Sequence, residues 1–359
     1  MIKLKNTLRN FDRYRRAKMV GLEPLLYRLL NNKRGQVSHL LDKNDVQRIL
    51  IIRNNRRIGN MYFLIPFVCQ MRRNYPDAHI TLMLNHPWQR EVFRRIGVDE
   101  FVFSYFSTRE MNKFSQVMME QRKKEYDIII LPYSSVEDTM ITAMLRAKNK
   151  IAGDNARRNA AFTHTFKKDD DRLHAAFSCL YLLSALGNTL PSSISHHLVF
   201  SQKELSDGVL AKKRIYQGER LCFAYFRGAR GDKRVSDSTW LTLINKFENK
   251  SPRPIQWVEI LSPDITTPLR EGTVTFKTSD MRHLACVLKE MDAFICCDTG
   301  PLHLADAARV PCVGLYNKTN PEVFGVIGSR SINVKDINYI DVSNVFTVLG
   351  VSDSKRGVG

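Results

Sequence analysis

Short apolar runs alternate along the chain with stretches whose apolar residues recur every three or four positions. The first spacing suits a buried strand and the second an amphipathic helix. VQRILIIR reads as a strand, MYFLIPFVCQMRRNY as a helix and AHITLMLN as a strand. PWQREVFRRIG predicts a short helix, EFVFSY a strand and MNKFSQVMMEQRKKE a helix. YDIIILPY is again a strand, followed by a helix near EDTMITAMLRA and a strand near NKIAGD. RLHAAFSCLYLLSALG predicts a strongly apolar helix closed by a glycine. Residues 188–205, NTLPSSISHHLVFSQKEL, are richer in Pro and Ser and read as a linker. A second cycle follows: strand ERLCFAYFR, helix STWLTLINKFEN, strand IQWVEILS and a short strand near TVTF. Helix MRHLACVLKEM, strand AFICCD, helix PLHLADAARV and strand PCVGLY complete it.

Strands separated by helices of this length predict parallel, doubly wound sheets. Two such cycles joined by a linker predict an α/β protein of two Rossmann-like domains facing across a cleft. The expected organisation is an extension over 1–45, an N-terminal domain over 46–195, a C-terminal domain over 196–348 and a tail over 349–359. A length of 359 residues suits two cores better than one.

Charge changes the picture. The formal net charge is +19, and it is uneven. Residues 1–36 hold ten Lys and Arg against Asp12 and Glu23, a net of +8. Phe11, Tyr14, Met19, Leu22, Leu26, Leu29 and Leu30 fall there at near-helical intervals, interrupted by Gly21 and Pro24. This predicts a basic helical extension, either packed on the body with a solvated face or resting on anionic lipid. No zinc-ligand spacing, RNA-binding signature or helix-turn-helix pattern points to nucleic acid. No apolar run reaches the roughly 18 to 20 residues of a membrane span, and the N-terminus lacks the apolar core of a signal peptide. The seven cysteines include no CxxC and sit mostly in apolar runs, as buried thiols of a reducing compartment do. The expected location is cytoplasmic.

The most informative stretch is DAFICCDTGPLHLADAARVPCVGLYNKTNPEVFG, residues 292–325. A buried strand ends at Asp298, Thr299 and Gly300 make a tight loop, and Pro301 suits the first turn of a helix. Backbone N–H groups and the positive end of a helix dipole then face the carboxyl edge of the sheet, where a diphosphate binds well. Asp298 is placed either to accept from vicinal sugar hydroxyls or to cap the helix. His303 is placed either in that site or in the core.

This block resembles the signature of glycosyltransferase family 9, the lipopolysaccharide heptosyltransferases. ILIIRNNRRIGNMYFLIPFVCQMRRNYPDAHITLML resembles the family's opening strand, glycine loop and helix. YDIIILPY, KIAGD and the helix with His174 resemble its middle. FRGARGDKRVSDSTWLTLINKF resembles the start of its second domain. Together the blocks cover roughly residues 46–348. The resemblance implies a GT-B fold and an inverting, metal-independent transfer without a resident cofactor, donor held by the C-terminal domain and acceptor by the N-terminal one. It implies that Asp298 binds donor-sugar hydroxyls and that Thr299 and Gly300 meet the diphosphate, with Pro301 and His303 completing the loop. Lys233 matches a lysine that meets the donor phosphate, where a compact cation stabilises the leaving group. Glu259, ending the strand IQWVEI, is placed to grip a nucleotide ribose. The DxD within Asp169–Asp171 precedes a helix and reads as solvated caps instead of a metal site.

The sequence departs from the family at the loop in ILIIRNNRRIGNMYFLIP. The residue after Gly59 is usually an aspartate, understood as the general base; here it is Asn60. An amide orients a hydroxyl but does not take its proton at neutral pH. Three routes stay open: Glu137 or Asp138 serves as base, transfer proceeds with little base assistance, or the protein binds without turnover. Arg53, Arg56 and Arg57 are expected, with Gly59, to meet an anionic acceptor. The expected function is transfer of heptose from ADP-heptose to a lipopolysaccharide core acceptor at the inner face of the membrane. Another nucleotide sugar, a protein acceptor, or a weak or inactive sugar-nucleotide-binding homologue are the alternatives.

Overall fold

The computed structural model describes residues 23–168, 173–216 and 218–351. The acidic run at 169–171 and most of the basic extension, 1–22, lie outside the described residues. The first half comprises α1 (residues 23–30), β1 (Arg48–Arg53), α2 (Ile58–Tyr62), α3 (Ile65–Asn74), β2 (His79–Leu84) and β3 (Glu100–Phe103). It continues with α4 (Met111–Gln121), β4 (Glu125–Leu131), α5 (Val136–Met144), β5 (Arg146–Gly153) and β6 (His164–Phe166). A connecting segment with α6 (Tyr181–Ala185) leads to α7 (Gln202–Ile215), β7 (Leu221–Phe226), α8 (Asp237–Lys250), β8 (Ile255–Ile260) and β9 (Val274–Phe276). The chain closes with α9 (Met281–Lys289), β10 (Ala293–Cys297), α10 (Gly300–Ala307), β11 (Cys312–Leu315), α11 (Pro321–Phe324), β12 (Ile332–Val334) and α12 (Val342–Leu349).

Both sheets have six strands, and every described ladder is parallel. The first runs β3-β2-β1-β4-β5-β6 and the second β12-β11-β10-β7-β8-β9, the same winding in each half. Strand order therefore reverses between β1 and β4 and between β7 and β10, the switch point of each sheet. The α/β architecture of two doubly wound sheets expected from the sequence is thus the observed one.

The strands alternate sides as their pattern requires. Ile49 and Ile51 of β1 enter one apolar cluster, Leu50 and Ile52 another. Cys222, Ala224 and Phe226 of β7 share the first of these with β1, so one apolar cluster runs through both halves. Each fully buried Ile or Leu there contributes about 1.5 to 3 kcal/mol. None of the seven cysteines forms a disulfide; six are buried and Cys69 partly so.

Three local expectations are corrected. Residues 172–187 were expected to form one helix, yet among the described residues, 173–187, only Tyr181–Ala185 does. The Ala175 N–H donates to Val323 O at 2.8 Å and the Tyr133 hydroxyl to Ala175 O at 2.5 Å, so the start of this segment is tied to both halves and runs as turns up to α6. The helix after β1 is two helices, because Pro66 lacks the N–H needed to continue and instead opens α3. The linker ends early, since Ser201 and Glu204 form a reciprocal capping box that starts α7.

The described part of the extension packs on the first half. Tyr27 is fully buried among Leu50, Ile52 and Met83, and Asn32 N–H donates to Ala143 O at 2.8 Å.

Candidate active site

In the second half, the two loops at the strand-order reversal meet. Residues 227–233 follow β7 and residues 298–300 follow β10. Asp298, 7% exposed, collects three groups. Its Oδ1 meets His303 Nε2 at 3.0 Å, while Oδ2 accepts from the Thr319 hydroxyl at 2.7 Å and from Lys233 Nζ, which also lies 3.4 Å from the Asp298 carbonyl. Burial pushes this carboxyl up, but hydrogen bonds from His303, Lys233 and Thr319 outweigh it and hold it below the usual carboxylate range. Asp298 is therefore an anion with every neighbour a donor, and it does not cap α10.

The N-terminus of α10 is left open for another anion. Thr299 is the cap residue, yet its hydroxyl donates to Cys297 O at 3.2 Å and makes no cap bond. Pro301 occupies the first turn. By contrast α8, α9 and α12 are each capped by a side chain, from Ser236, Asp280 and Asp341. The Gly300 N–H and the positive end of the helix dipole, beside Lys233, make a place for a phosphate group.

The first half reaches this loop at one point. A Cβ on Gly59 would lie 3.1 Å from the His303 ring, and one on Gly300 would collide with Ile58. Glycine at both positions lets the turn before Asn60 pack closely against the start of α10. Phe63 closes the floor, its ring 4.7 Å from that of His303 and 5.6 Å from that of His174. His174, whose ring meets Gly325 O at 2.9 Å, is held below the ordinary imidazole range by burial. Gly59, Asn60, Asp298, Gly300, His303 and Lys233, distant in sequence, are thus brought to one place.

The arginine loop divides. Arg56 and Arg57 are exposed, with Arg56 donating to Phe106 O at 2.9 Å. Arg53, expected at the acceptor, is only 8% exposed; its guanidinium lies 4.5 Å over the Tyr133 ring and 3.9 Å from Asp138. It closes the strand end inward because β1 is a central strand. Glu137, an expected alternative base, is exposed, whereas Asp138 has no exposed surface and accepts the Asn54 N–H at 2.7 Å.

Glu259 is a second correction. It is fully buried, accepting from Arg227 Nε at 2.6 Å, the Tyr225 hydroxyl at 2.8 Å and Leu269 N–H at 2.6 Å. Arg227 continues to Asp237 at 3.1 Å and Thr267 O at 2.6 Å. A carboxylate so occupied buttresses the loop at 267–269 and offers a ribose no free face. Burial and this carboxylate together push the Tyr225 hydroxyl well up.

Sequence reasoning missed Thr319, although it lies in the quoted block, and Phe63. It also missed the polar frame of the arginine loop. Asn54 Oδ1 accepts from Asn85 at 2.7 Å and Ser104 at 2.5 Å, and Gln89 donates to Asn55 O. Their only signal is an amide or hydroxyl just past an apolar strand. Among the described residues, no three His, Cys, Asp or Glu side chains are grouped to hold a metal ion.

Residues 267–344, which contain Asp298 to Thr319, match the model of glycosyltransferase family 9 (heptosyltransferase). That match supports a family 9 glycosyltransferase. The fold of the remainder agrees. A glycosyl transferase family 9 structure from Veillonella parvula superposes with a TM-score of 0.72 at 17% identity, over 86% of this chain and 91% of that one. E. coli heptosyltransferase WaaC with ADP gives 0.66 at 16% identity, over 85% and 99%. E. coli ADP-heptose lps heptosyltransferase II gives 0.64 at 17% identity, over 85% and 98%. No curated protein matches the sequence significantly. No helix among the described residues is long and apolar enough to cross a membrane.

Proposed function

We propose that this glycosyltransferase moves heptose from ADP-heptose to an anionic lipopolysaccharide core acceptor, with inversion and without a metal ion. The observation that carries the donor half is Asp298, ringed by His303, Thr319 and Lys233 at the uncapped start of α10. On this reading the diphosphate draws Lys233 away from Asp298. The freed carboxylate oxygen then takes donor-sugar hydroxyls, and Lys233 stabilises charge on the leaving ADP. Similarity to heptosyltransferases solved with ADP and with ADP-2-deoxy-2-fluoro heptose supports the choice of donor.

The acceptor stands on the other wall, with Arg56 and Arg57 on its anionic groups and Asn60 orienting its hydroxyl. Helix α1 presents Leu25 and Leu29, 55% and 77% exposed, on either side of exposed Arg28. That face, following a basic N-terminal run, suits contact with an anionic lipid surface.

Asn60 favours one second reading, binding without turnover. A mass-spectrometric transfer assay separates the two, with a panel of nucleotide sugars and a truncated core lipid. The proposal expects a gain of one heptose that is lost in Asp298→Ala, and Asn60→Asp at least as active as the parent. Turnover in Asn60→Asp alone establishes the second reading. Arg56→Ala with Arg57→Ala is expected to raise the acceptor KM about tenfold or more and leave the donor KM in place. Equal effects on both remove the acceptor assignment.

A further inference from the structure

The loop that carries Arg56, Arg57 and Asn60 stands on a buried carboxylate. Asp138 lies in the first turn of α5, its own N–H bonded to Ser135 Oγ at 3.0 Å. Its Oδ1 accepts the backbone N–H of Asn54, the first residue past β1, at 2.7 Å. Its Oδ2 is buried without a hydrogen-bond partner, 3.9 Å from the Arg53 guanidinium, whose Nε is likewise unpartnered. The other side of Asn54 is held by Asn85 and Ser104 from the ends of β2 and β3. Asn54 is therefore clamped from β4–α5 on one flank and from β2–β3 on the other.

We infer that Asp138 is a positioning residue: through Asn54 and Arg53 it sets the path of residues 54–60, and so where Arg56, Arg57 and Asn60 stand, without touching the acceptor. This rests on reading that loop as the acceptor side. It also corrects the expectation that Asp138 replaces the missing base. A general base must come within about 2.6 to 3.2 Å of its proton, or reach it through one water. Asp138 has no exposed surface and spends its Oδ1 on the backbone.

The clamp is sensitive to charge. Burial lifts the Asp138 carboxyl to about 6, against the pull of Arg53, the Asn54 N–H and Ser135, with Glu137 adding to the rise. Arg53 faces it from β1, Glu137 shares α5, and the groups from β2 and β3 that reach Asn54 are neutral. Above that pH the carboxylate holds both Arg53 and Asn54. Protonation below it weakens both holds, so the acceptor KM rises as pH falls through about 6.

The test uses the full chain with Asp138→Asn and Asp138→Ala. Hydrogen–deuterium exchange at pH 7.5 is expected to quicken several-fold over residues 54–60 in Asp138→Ala and less in Asp138→Asn. Residues 237–250 of α8 serve as the unaffected reference. In transfer kinetics, Asp138→Asn is expected to raise the acceptor KM about tenfold, flatten its acid dependence and hold kcat within about tenfold. Unchanged exchange over 54–60 in Asp138→Ala overturns the inference. So does a kcat loss of about 10² or more in Asp138→Asn at constant acceptor KM, which marks a base. Should Asp138→Ala not fold, Asp138→Asn decides the exchange comparison by the same criterion. Absence of transfer with every donor removes the functional reading alone, because the exchange result needs no turnover.

Discussion

Glu259→Gln separates a buttress from a ribose ligand. The wild-type carboxylate receives Arg227 Nε on one oxygen, and Tyr225 and Leu269 N–H on the other. A glutamine offers one oxygen and one amino group, so either Arg227 or Leu269 is left facing a donor. A hydrogen bond to a charged group is worth roughly 1.5 to 3 kcal/mol, and removing one partner of a buried ion pair costs about 3 to 5 kcal/mol. The amide keeps part of this network, which places the expected loss near 3 kcal/mol. For a domain of this size each kcal/mol moves Tm by roughly 2 to 4 °C, so the second half should melt about 6 to 12 °C lower. Differential scanning calorimetry measures the shift and titration with ADP measures nucleotide affinity, which is expected to fall only as far as the 267–269 loop loosens. An unchanged Tm with ADP binding weakened tenfold would refute the reasoning and return Glu259 to the ribose.

Two further outcomes follow from buried cations. Arg282 of α9 is 3% exposed, pairs with Glu204 at 2.5 Å and donates to Val199 O at 2.5 Å and Glu91 O at 2.9 Å, the last across the two halves. Arg282→Met leaves Glu204 without its partner and is expected to cost about 2 to 4 kcal/mol in chemical denaturation; a loss under about 0.5 kcal/mol counts against the staple. Lys150 is fully buried, donating to Asn31 Oδ1, Asn32 O and Ala143 O at 2.9, 3.1 and 3.0 Å, and burial lowers it to about 7. From there up to its ordinary value near 10 the unfolded chain holds a proton that the folded one has released, so stability rises with pH across that window. Each acceptor keeps a second donor, from Gln36 or Asn32, so Lys150→Met is expected to stay within about 1 kcal/mol at pH 7.5 and to flatten the slope. A slope that persists in the variant shows that another group is responsible.

The loop at Asp298 was legible because its chemistry is local. Asp298, Thr299, Gly300 and Pro301 are consecutive, and strand, turn and helix start are each specified by those residues. The arginine loop was half legible. Its composition announced a cationic surface, but Arg53 belongs to a central strand and turns inward onto Tyr133, while Arg56 and Arg57 stay out. Glu259 and Asp138 look alike in sequence, carboxylates near strand ends, and both prove to be buried acceptors for backbone and arginine donors. The edge strands β6 and β12 and the helix α7 passed unnoticed, the strands because three residues carry too little periodicity.

By itself the sequence determined the alternation of strands and helices, hence two parallel sheets, and the strand–turn–helix junction at Asp298. Apolar periodicity and turn chemistry act over a few residues, and those few residues carry the information. Only the tertiary structure decided which charges face the cleft, that Lys233 rests on Asp298, and that Gly59 meets His303. Those are matters of which loops the strand order brings together, and of how much water each charged group retains once they meet.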